Sequence, residues 1–404
     1  MTTRTPWITS LLTLAASIAC GRTSTTPVGP DNLPTVVVLS FDALGDRFLD
    51  RDTLPNFHAM MATGVRAPAR PEFPSKTFPN HYSMATGLPP GKHGIAINQF
   101  FDPVRNEWFR RTSANDGSFF GGEPIWVSAE RAGIRTAAYF WTGSEAEIAG
   151  VRPTYWYPFD ATLPDSVKIA QTLRWLRLPA DKRPHLIMMY SGVVDVPGHR
   201  AGPDGAETYA GVRAADKTLG VLRDSLKQFT SLRIDVIIVS DHGLVYVPRD
   251  HDIDLDSLVP AKGALVDDEH ATFSVWSDPA NPGLNVDSLA AVYRKIPHTR
   301  VFRPGTFPAE WQTEQNRRFG DIFLLADPGY EYVTTNPRAI YTLGEHGYDP
   351  KTPEMMGIFL AAGPDFKAGV RLRVRENRTL HDLLARLLHL NVQRTTSETD
   401  FGLK

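Results

Sequence analysis

Short, continuously apolar runs rich in β-branched residues punctuate this chain. Thr35–Phe41 (TVVVLSF), His185–Tyr190 (HLIMMY) and Arg233–Ser240 (RIDVIIVS) are of this kind. Such runs suit strands buried on both faces of a parallel sheet. Between them the period changes. Val167, Ile169, Leu173, Leu176 and Leu178 fall along one side of a helix over Asp165–Leu178, as do Val212, Leu219, Leu222 and Leu226 over Glu207–Phe229. Strand, helix, strand, helix, strand predicts parallel pairing with helices on both faces of the sheet, an α/β fold. Met356–Ala361 (MGIFLA) reads as a further buried strand, and Thr379–Leu390 as the last helix. Residues 245–345, richer in Pro, Asp and short apolar runs, predict a subdomain inserted near the rim of the site.

The N-terminus adds a targeting segment, residues 1–20. Arg4 supplies a positive start, and Ile8–Ala19 is apolar but too short to span a bilayer. Ser17-Ile18-Ala19-Cys20 resembles a bacterial lipoprotein signal, which implies an exported protein, periplasmic or at the cell surface, anchored by lipid on Cys20. The alternative is a plain secretory signal with an incidental cysteine. Residues 21–34, rich in Thr, Pro, Gly and Ser, read as a flexible tether, leaving 35–404 as the folded domain. Cys20 is the single cysteine, so an internal disulfide is excluded. The 404 residues carry a formal net charge of −2 and no long basic run. That balance argues against a protein that grips a nucleic-acid duplex by neutralising many phosphates.

The chemistry gathers where the strands end. The first strand runs into Asp42, the second towards Asp195 with His199 a helical turn later, and the third into Asp241 and His242. Ligands of open α/β sheets collect at the carboxyl ends of strands, so these residues point into one crevice. His346 arrives from a later Gly-Glu-His-Gly-Tyr loop. Carboxylates and imidazoles together suit zinc, and the absence of further cysteines excludes a finger-type site. Six such ligands with a nucleophile supply two metal ions with positions open to substrate. Thr77 lies just ahead of Pro79, which fits a first helical turn, so it sits near a helix N-terminus where a phosphate is favoured. Its residue type allows either a helix cap or an activated nucleophile.

The stretch KTFPNHYSMATGLPPGKHGI (Lys76–Ile95) resembles the nucleophile region of the nucleotide pyrophosphatase/phosphodiesterase family, within the alkaline phosphatase superfamily. VLSFDALG (38–45), YSGVVDVPGHRAGP (190–203), VSDHGL (239–244), GEHGYDP (344–350) and MGIFLAAGPDFKAG (356–369) follow the same pattern in the same order. The resemblance implies an alkaline-phosphatase-like core and hydrolysis of phosphodiester or pyrophosphate bonds of nucleotides or related molecules through a phosphothreonine. It implies that Asp195, His199 and His346 hold one zinc ion, and that Asp42, Asp241, His242 and the Thr77 hydroxyl hold another. Asn98 matches the position that donates to a phosphate oxygen, with the Phe78 N–H as its backbone partner. Phe78 and Tyr190 match positions that sandwich a nucleobase, and Tyr157, within Tyr155–Phe159, is a further wall candidate. Gly192-Val193-Val194 is less polar than the family pattern there.

Other readings stay open at this stage. A phosphomonoesterase, a diesterase acting on phospholipid head groups, or a catalytically silent surface binder would share parts of the pattern. His81 and His93 read as supporting residues. His58, His185, His251, His270, His298, His381 and His389 carry no ligand spacing. Lys76 reads equally as a phosphate contact or as a solvated side chain, and Asp267-Asp268-Glu269 as a surface turn rather than a calcium site.

Overall fold

The computed structural model describes residues 1–2, 33–51, 53–258, 262–334 and 342–404. Cys20, the signal segment from residue 3 on and the tether up to residue 32 lie outside the described residues. The first apolar run forms the strand Thr35–Phe41 at the centre of the main sheet, with every residue buried. Leu186–Ser191 pairs parallel to it on one side and Ile234–Val239 parallel on the other. Thr136–Tyr139 and Tyr155–Tyr157 extend the parallel side. Beyond Ile234–Val239 come Gly357–Ala362, Val65–Arg70 and the short strands Val370–Arg371 and Arg375–Glu376.

The sheet is therefore mostly parallel with one exception. Gly357–Ala362 runs antiparallel to both of its neighbours. A continuous apolar run buries both faces whichever way it points, so its direction is not written in its pattern.

Alternation along the central strand divides the core. Val36 and Val38 pack into the layer that includes Tyr82, Trp126, Leu383 and Leu384. Val37, Leu39 and Phe41 pack against Phe57, Trp175, Leu219 and Leu222 on the other face. The first layer carries helices Thr77–Thr86, Ile125–Arg131 and Thr379–Leu387; the second carries Pro55–Thr63, Asp165–Leu176 and Ala206–Leu226. Both faces of the sheet are thus covered, as parallel pairing requires.

Between Val245 and Glu345 the described residues build a second sheet, whose Trp276, Phe323 and Leu325 join the core layer of the main sheet. Ala264–Asp268, Thr272–Ser277, Ile322–Ala326 and Thr299–Phe302 form an antiparallel sheet in that order, packed around Phe273, Tyr293, Leu324 and Tyr332. Helix Val286–Tyr293 covers it. Among the described residues no helix is long and apolar enough to cross a membrane.

Candidate active site

The central strand and its two parallel neighbours release their chains in different directions, and the crevice between them receives the predicted residues. Asp42 follows Phe41 directly, with Ala43 turning the chain at a positive φ of 60°. Asp241 and His242 follow the strand that ends at Val239. After Ser191 a short loop leads into helix Asp195–Ala201, where Asp195 and His199 share one face. His346 follows the two-residue strand Gly344–Glu345, which pairs with Val245–Tyr246.

Two groups of donors result. In one, Asp195 Oδ1 lies 3.3 Å from His199 Nε2 and 3.8 Å from His346 Nε2, and the two Nε2 atoms are 3.2 Å apart. In the other, His242 Nε2 lies 3.1 Å from Asp241 Oδ2, 3.5 Å from Asp42 Oδ1 and 3.4 Å from Thr77 Oγ. The groups adjoin: the rings of His242 and His346 stack at 3.7 Å.

The hydrogen bonds show what these groups fit. His199 Nδ1 pairs with the Gly344 carbonyl at 2.8 Å, His346 Nδ1 with that of Ser75 at 3.0 Å, and His242 Nδ1 with that of Gly243 at 3.1 Å. Each Nδ1–H is thereby given to a carbonyl, leaving Nε2 as a lone-pair donor facing carboxylates, the usual arrangement of metal-ligating histidines. Asp42 Oδ1, Asp195 Oδ1 and Asp241 Oδ2 are buried without a hydrogen-bond partner. Unpaired carboxylate oxygens and imidazole lone pairs in contact fit a bound cation.

The titration tendencies are mixed: burial lowers the His199 imidazole, but Asp195 and Glu345 raise it to about 9. Burial, then the charges of Asp241 and Asp195, pushes Asp42 well above the ordinary carboxylate range. Burial also pushes Asp241 upward, but the imidazoles of His242 and His81 hold it below. His346 is driven well below the usual imidazole range by burial and by His242, so its imidazole is neutral.

Thr77 is the first residue of helix Thr77–Thr86, whose N-cap is Lys76, and no side chain caps that end. Its hydroxyl is thus free of the capping role and lies beside His242. His81, one turn on, holds the helix in place, with Nδ1 on the Thr77 carbonyl at 2.9 Å and Nε2 on Ser40 Oγ at 2.8 Å. His93, buried against Ser83 Oγ at 2.9 Å, is pushed down by burial to a pKa of about 3 and stays neutral.

The model of the type I phosphodiesterase/nucleotide pyrophosphatase family matches residues 36–349. The chain belongs to this family. It is 33% identical over 89% of its length to an uncharacterized pyrophosphatase/phosphodiesterase of Schizosaccharomyces pombe, covering 78% of that protein. It is 30% identical over 89% of its length to a bis(5'-adenosyl)-triphosphatase of Xenopus laevis, covering 79% of it. The solved structure of murine ectonucleotide pyrophosphatase/phosphodiesterase 5, an inactive form in complex with AMP, superposes with a TM-score of 0.85 at 28% identity. That match covers 92% of this chain and all of the murine one, and the fold is the alkaline-phosphatase-like fold of the family.

The structure rearranges several expected contacts around these clusters. The Phe78 N–H, named as the backbone partner of Asn98, donates to Asn98 Oδ1 at 2.8 Å, because an N–H of the first helical turn needs an acceptor. Tyr190 is fixed from both ends: its hydroxyl donates to Asp42 Oδ2 at 2.5 Å, and its ring lies edge-on to His81 at 5.3 Å. Tyr157 is set apart from this group. Its ring stacks on Tyr139 at 4.5 Å beside Trp175, on the outer edge of the sheet. From the same stretch it is Phe159 that meets Tyr190, at 6.2 Å.

Arg111, which the sequence did not single out, places its guanidinium 5.9 Å from the Phe78 ring and 5.1 Å from that of Phe159. Lys76 is neither solvated nor aimed at a phosphate position. It is 2% exposed, and its ammonium donates to the Glu269 carbonyl at 2.7 Å and meets Glu345 Oε1 at 3.4 Å. Glu345 was also missed; it accepts the His346 N–H at 2.8 Å.

Proposed function

We propose that the chain is a two-zinc nucleotide pyrophosphatase/phosphodiesterase that works through a phosphothreonine at Thr77. The observation that carries this reading is the convergence of three imidazole Nε2 atoms and three unpaired carboxylate oxygens beside one threonine hydroxyl. Family membership supports an enzyme of this class; the metal count, its identity as zinc and the covalent step are the proposal.

Asp195, His199 and His346 would hold one ion, and Asp42, Asp241, His242 and Thr77 the other. Zinc bound there lowers the pKa of a coordinated hydroxyl and stabilises charge on the entering and leaving oxygens. The protein does the rest. The Thr77 oxygen gives up its proton and attacks phosphorus, the bond to the leaving oxygen breaks, the leaving group departs with a proton, and the phosphoryl group, still carrying its other substituent, passes to Thr77. Water then breaks the threonine–phosphorus bond and returns the hydroxyl. Asn98, anchored through Oδ1 to the Phe78 N–H, turns its Nδ2 donors to a non-bridging oxygen, and the helix N-terminus adds its dipole.

The expected substrate is a nucleotide carrying a diester or pyrophosphate link. Phe78 and Phe159, 5.9 and 5.1 Å from the Arg111 guanidinium, would offer rings to a planar group, and base stacking of this kind tolerates different bases. The AMP complex of the murine relative is consistent with such a group. A monoester brings an extra negative charge, and the adjacent cation, Lys76, is committed elsewhere. The relatives' ecto- designation and the N-terminal signal together favour an extracytoplasmic location. The lipid anchor at Cys20 is tested by whether Cys20→Ser releases the protein from membranes.

The deciding experiment compares bis- and mono-(p-nitrophenyl) phosphate with zinc-saturated wild type and Thr77→Ala. Faster diester hydrolysis, abolished in the variant, is expected. A faster monoester would move the activity to a phosphatase, and an unaffected Thr77→Ala would remove the phosphothreonine.

A further inference from the structure

A third group of donors lies behind the first metal cluster, where the inserted subdomain meets the loop that carries His346. His270 leaves the strand Ala264–Asp268, Glu331 opens the strand Glu331–Val333, and Glu345 immediately precedes His346. One donor atom from each lies within 4.8 Å of the other two. His270 Nδ1 and Glu331 Oε2 are 3.3 Å apart, yet His270 Nδ1 is buried without a hydrogen-bond partner.

The same two signs mark the active-site clusters: unpaired donor atoms, and separations between 3.1 and 3.8 Å. Two ligands at about 2.0–2.1 Å from a tetrahedral ion lie about 3.3–3.4 Å apart, which is the spacing of His270 and Glu331.

Glu345 supplies the independent pointer. Its side chain is 1% exposed. Oε1 is taken by the His346 N–H and the Lys76 ammonium, whereas Oε2 has no hydrogen-bond partner. The nearest imidazole nitrogen, His199 Nδ1 at 3.5 Å, already gives its proton to Gly344. Lys76 brings one positive charge to Glu345 and also faces Glu269, whose Oε2 is itself unpaired. Glu331, 1% exposed, adds a further buried carboxylate, with Thr342 Oγ1 donating to Oε2 at 2.9 Å. Buried carboxylates in excess of their counter-charges call for a cation.

We propose that His270, Glu331 and Glu345 form a third metal site, taking a divalent first-row ion (zinc in zinc-replete protein) that braces the inserted subdomain against the His346 loop. One imidazole and two carboxylates suit such an ion. The ion sits away from the Thr77 hydroxyl and takes no part in bond breaking; its role is to fix the loop from which His346 reaches its own cluster. The competing way to satisfy these charges is a protonated His270 between the two glutamates.

Metal counting separates the two. The full chain is stripped with a chelator, reloaded with zinc, desalted and analysed by plasma mass spectrometry. The variants are Glu331→Gln, which keeps the side chain's shape, and His270→Asn. Asn accepts the positive φ of 63° at that position. Three equivalents in wild type and two in each variant are expected, with circular dichroism confirming that the variants are folded. If either variant fails to fold, the wild-type count alone decides. A wild-type count of two, or a count of three that both folded variants retain, overturns the third site and leaves the two-ion reading of the active site standing. A wild-type count below two overturns both.

Discussion

Replacing Tyr190 with phenylalanine removes one oxygen and tests what holds the second metal cluster together. That oxygen donates to Asp42 Oδ2 at 2.5 Å, while Asp42 Oδ1 faces His242 Nε2 at 3.5 Å with no hydrogen bond of its own. The carboxylate is 1% exposed, so water cannot readily take the hydroxyl's place. A hydrogen bond to a charged group contributes about 1.5–3 kcal/mol, which corresponds to roughly a 10- to 150-fold change in an equilibrium. Groups that orient metal ligands typically account for about 10–100-fold in affinity. Tyr190→Phe should therefore weaken zinc binding about 10–100-fold, measured by competition with a chromophoric chelator. At saturating zinc most of the activity should return. Phe159→Ala is the control, since that ring meets Tyr190 but has no hydrogen-bonding group to offer Asp42. It should leave zinc affinity unchanged and raise KM for a nucleotide substrate about 5–150-fold, the range of roughly 1–3 kcal/mol per stacked base. Unchanged zinc affinity in Tyr190→Phe would refute this account of the hydroxyl. If nucleotide KM rose instead, Tyr190 would be a stacking residue, as the family resemblance implies.

Stability offers two further tests. Burial and then the neighbouring Asp365 push Asp235 up to about 7, from an unfolded value of 3.8. Its folded form keeps a proton that the unfolded chain gives up, so the stabilising contribution is complete below the unfolded value and is lost as pH rises towards 7. At about 1.4 kcal/mol per unit this amounts to at most about 4 kcal/mol at pH 8. Asp235→Asn should raise Tm at pH 8 and change it little at pH 4; equal shifts at both would contradict the linkage. Lys76→Met should destabilise the protein by about 3–5 kcal/mol in denaturant unfolding, because Glu345 would lose its buried counter-charge. A loss under 1 kcal/mol would show that these carboxylates are neutralised some other way.

Much of the architecture could be read from residue type alone, because a strand buried on both faces must be apolar throughout. Thr35–Phe41, Leu186–Ser191 and Ile234–Val239 match their runs within a residue or two. The helices Asp165–Leu176 and Ala206–Leu226 likewise follow their apolar stripes. Val65–Arg70 escaped notice because it contains Pro68 and two arginines; Arg66 fits only because Asp46 and Asp50 meet its guanidinium at 3.0 and 2.7 Å. The ordered motifs named the residues of both donor clusters, and the fold brings them together.

The surroundings of the clusters were not legible, since they depend on partners far away in sequence. Asp267–Glu269 looked like a surface turn, but Glu269 is buried where Lys76, 193 residues away, donates to its carbonyl. His270 has no ligand spacing in the sequence because its neighbours, Glu331 and Glu345, come from two later segments. Tyr157 and Phe159 differ by one alternation, yet the strand ends between them, and only Phe159 turns toward the site.

The order of the ligands along the chain carries a consequence for how the protein holds its shape. His199 and His346 stand 147 residues apart and meet at one cluster after the whole inserted subdomain has been traversed. An ion bound between them joins the two ends of that excursion as a covalent bridge would, in a chain whose single cysteine cannot pair with another. Closing a loop longer than a hundred residues lowers the entropy of the unfolded chain by an amount worth about 5 kcal/mol. The metal that serves the reaction would then also serve as the staple, so that losing it opens this 147-residue loop along with the site.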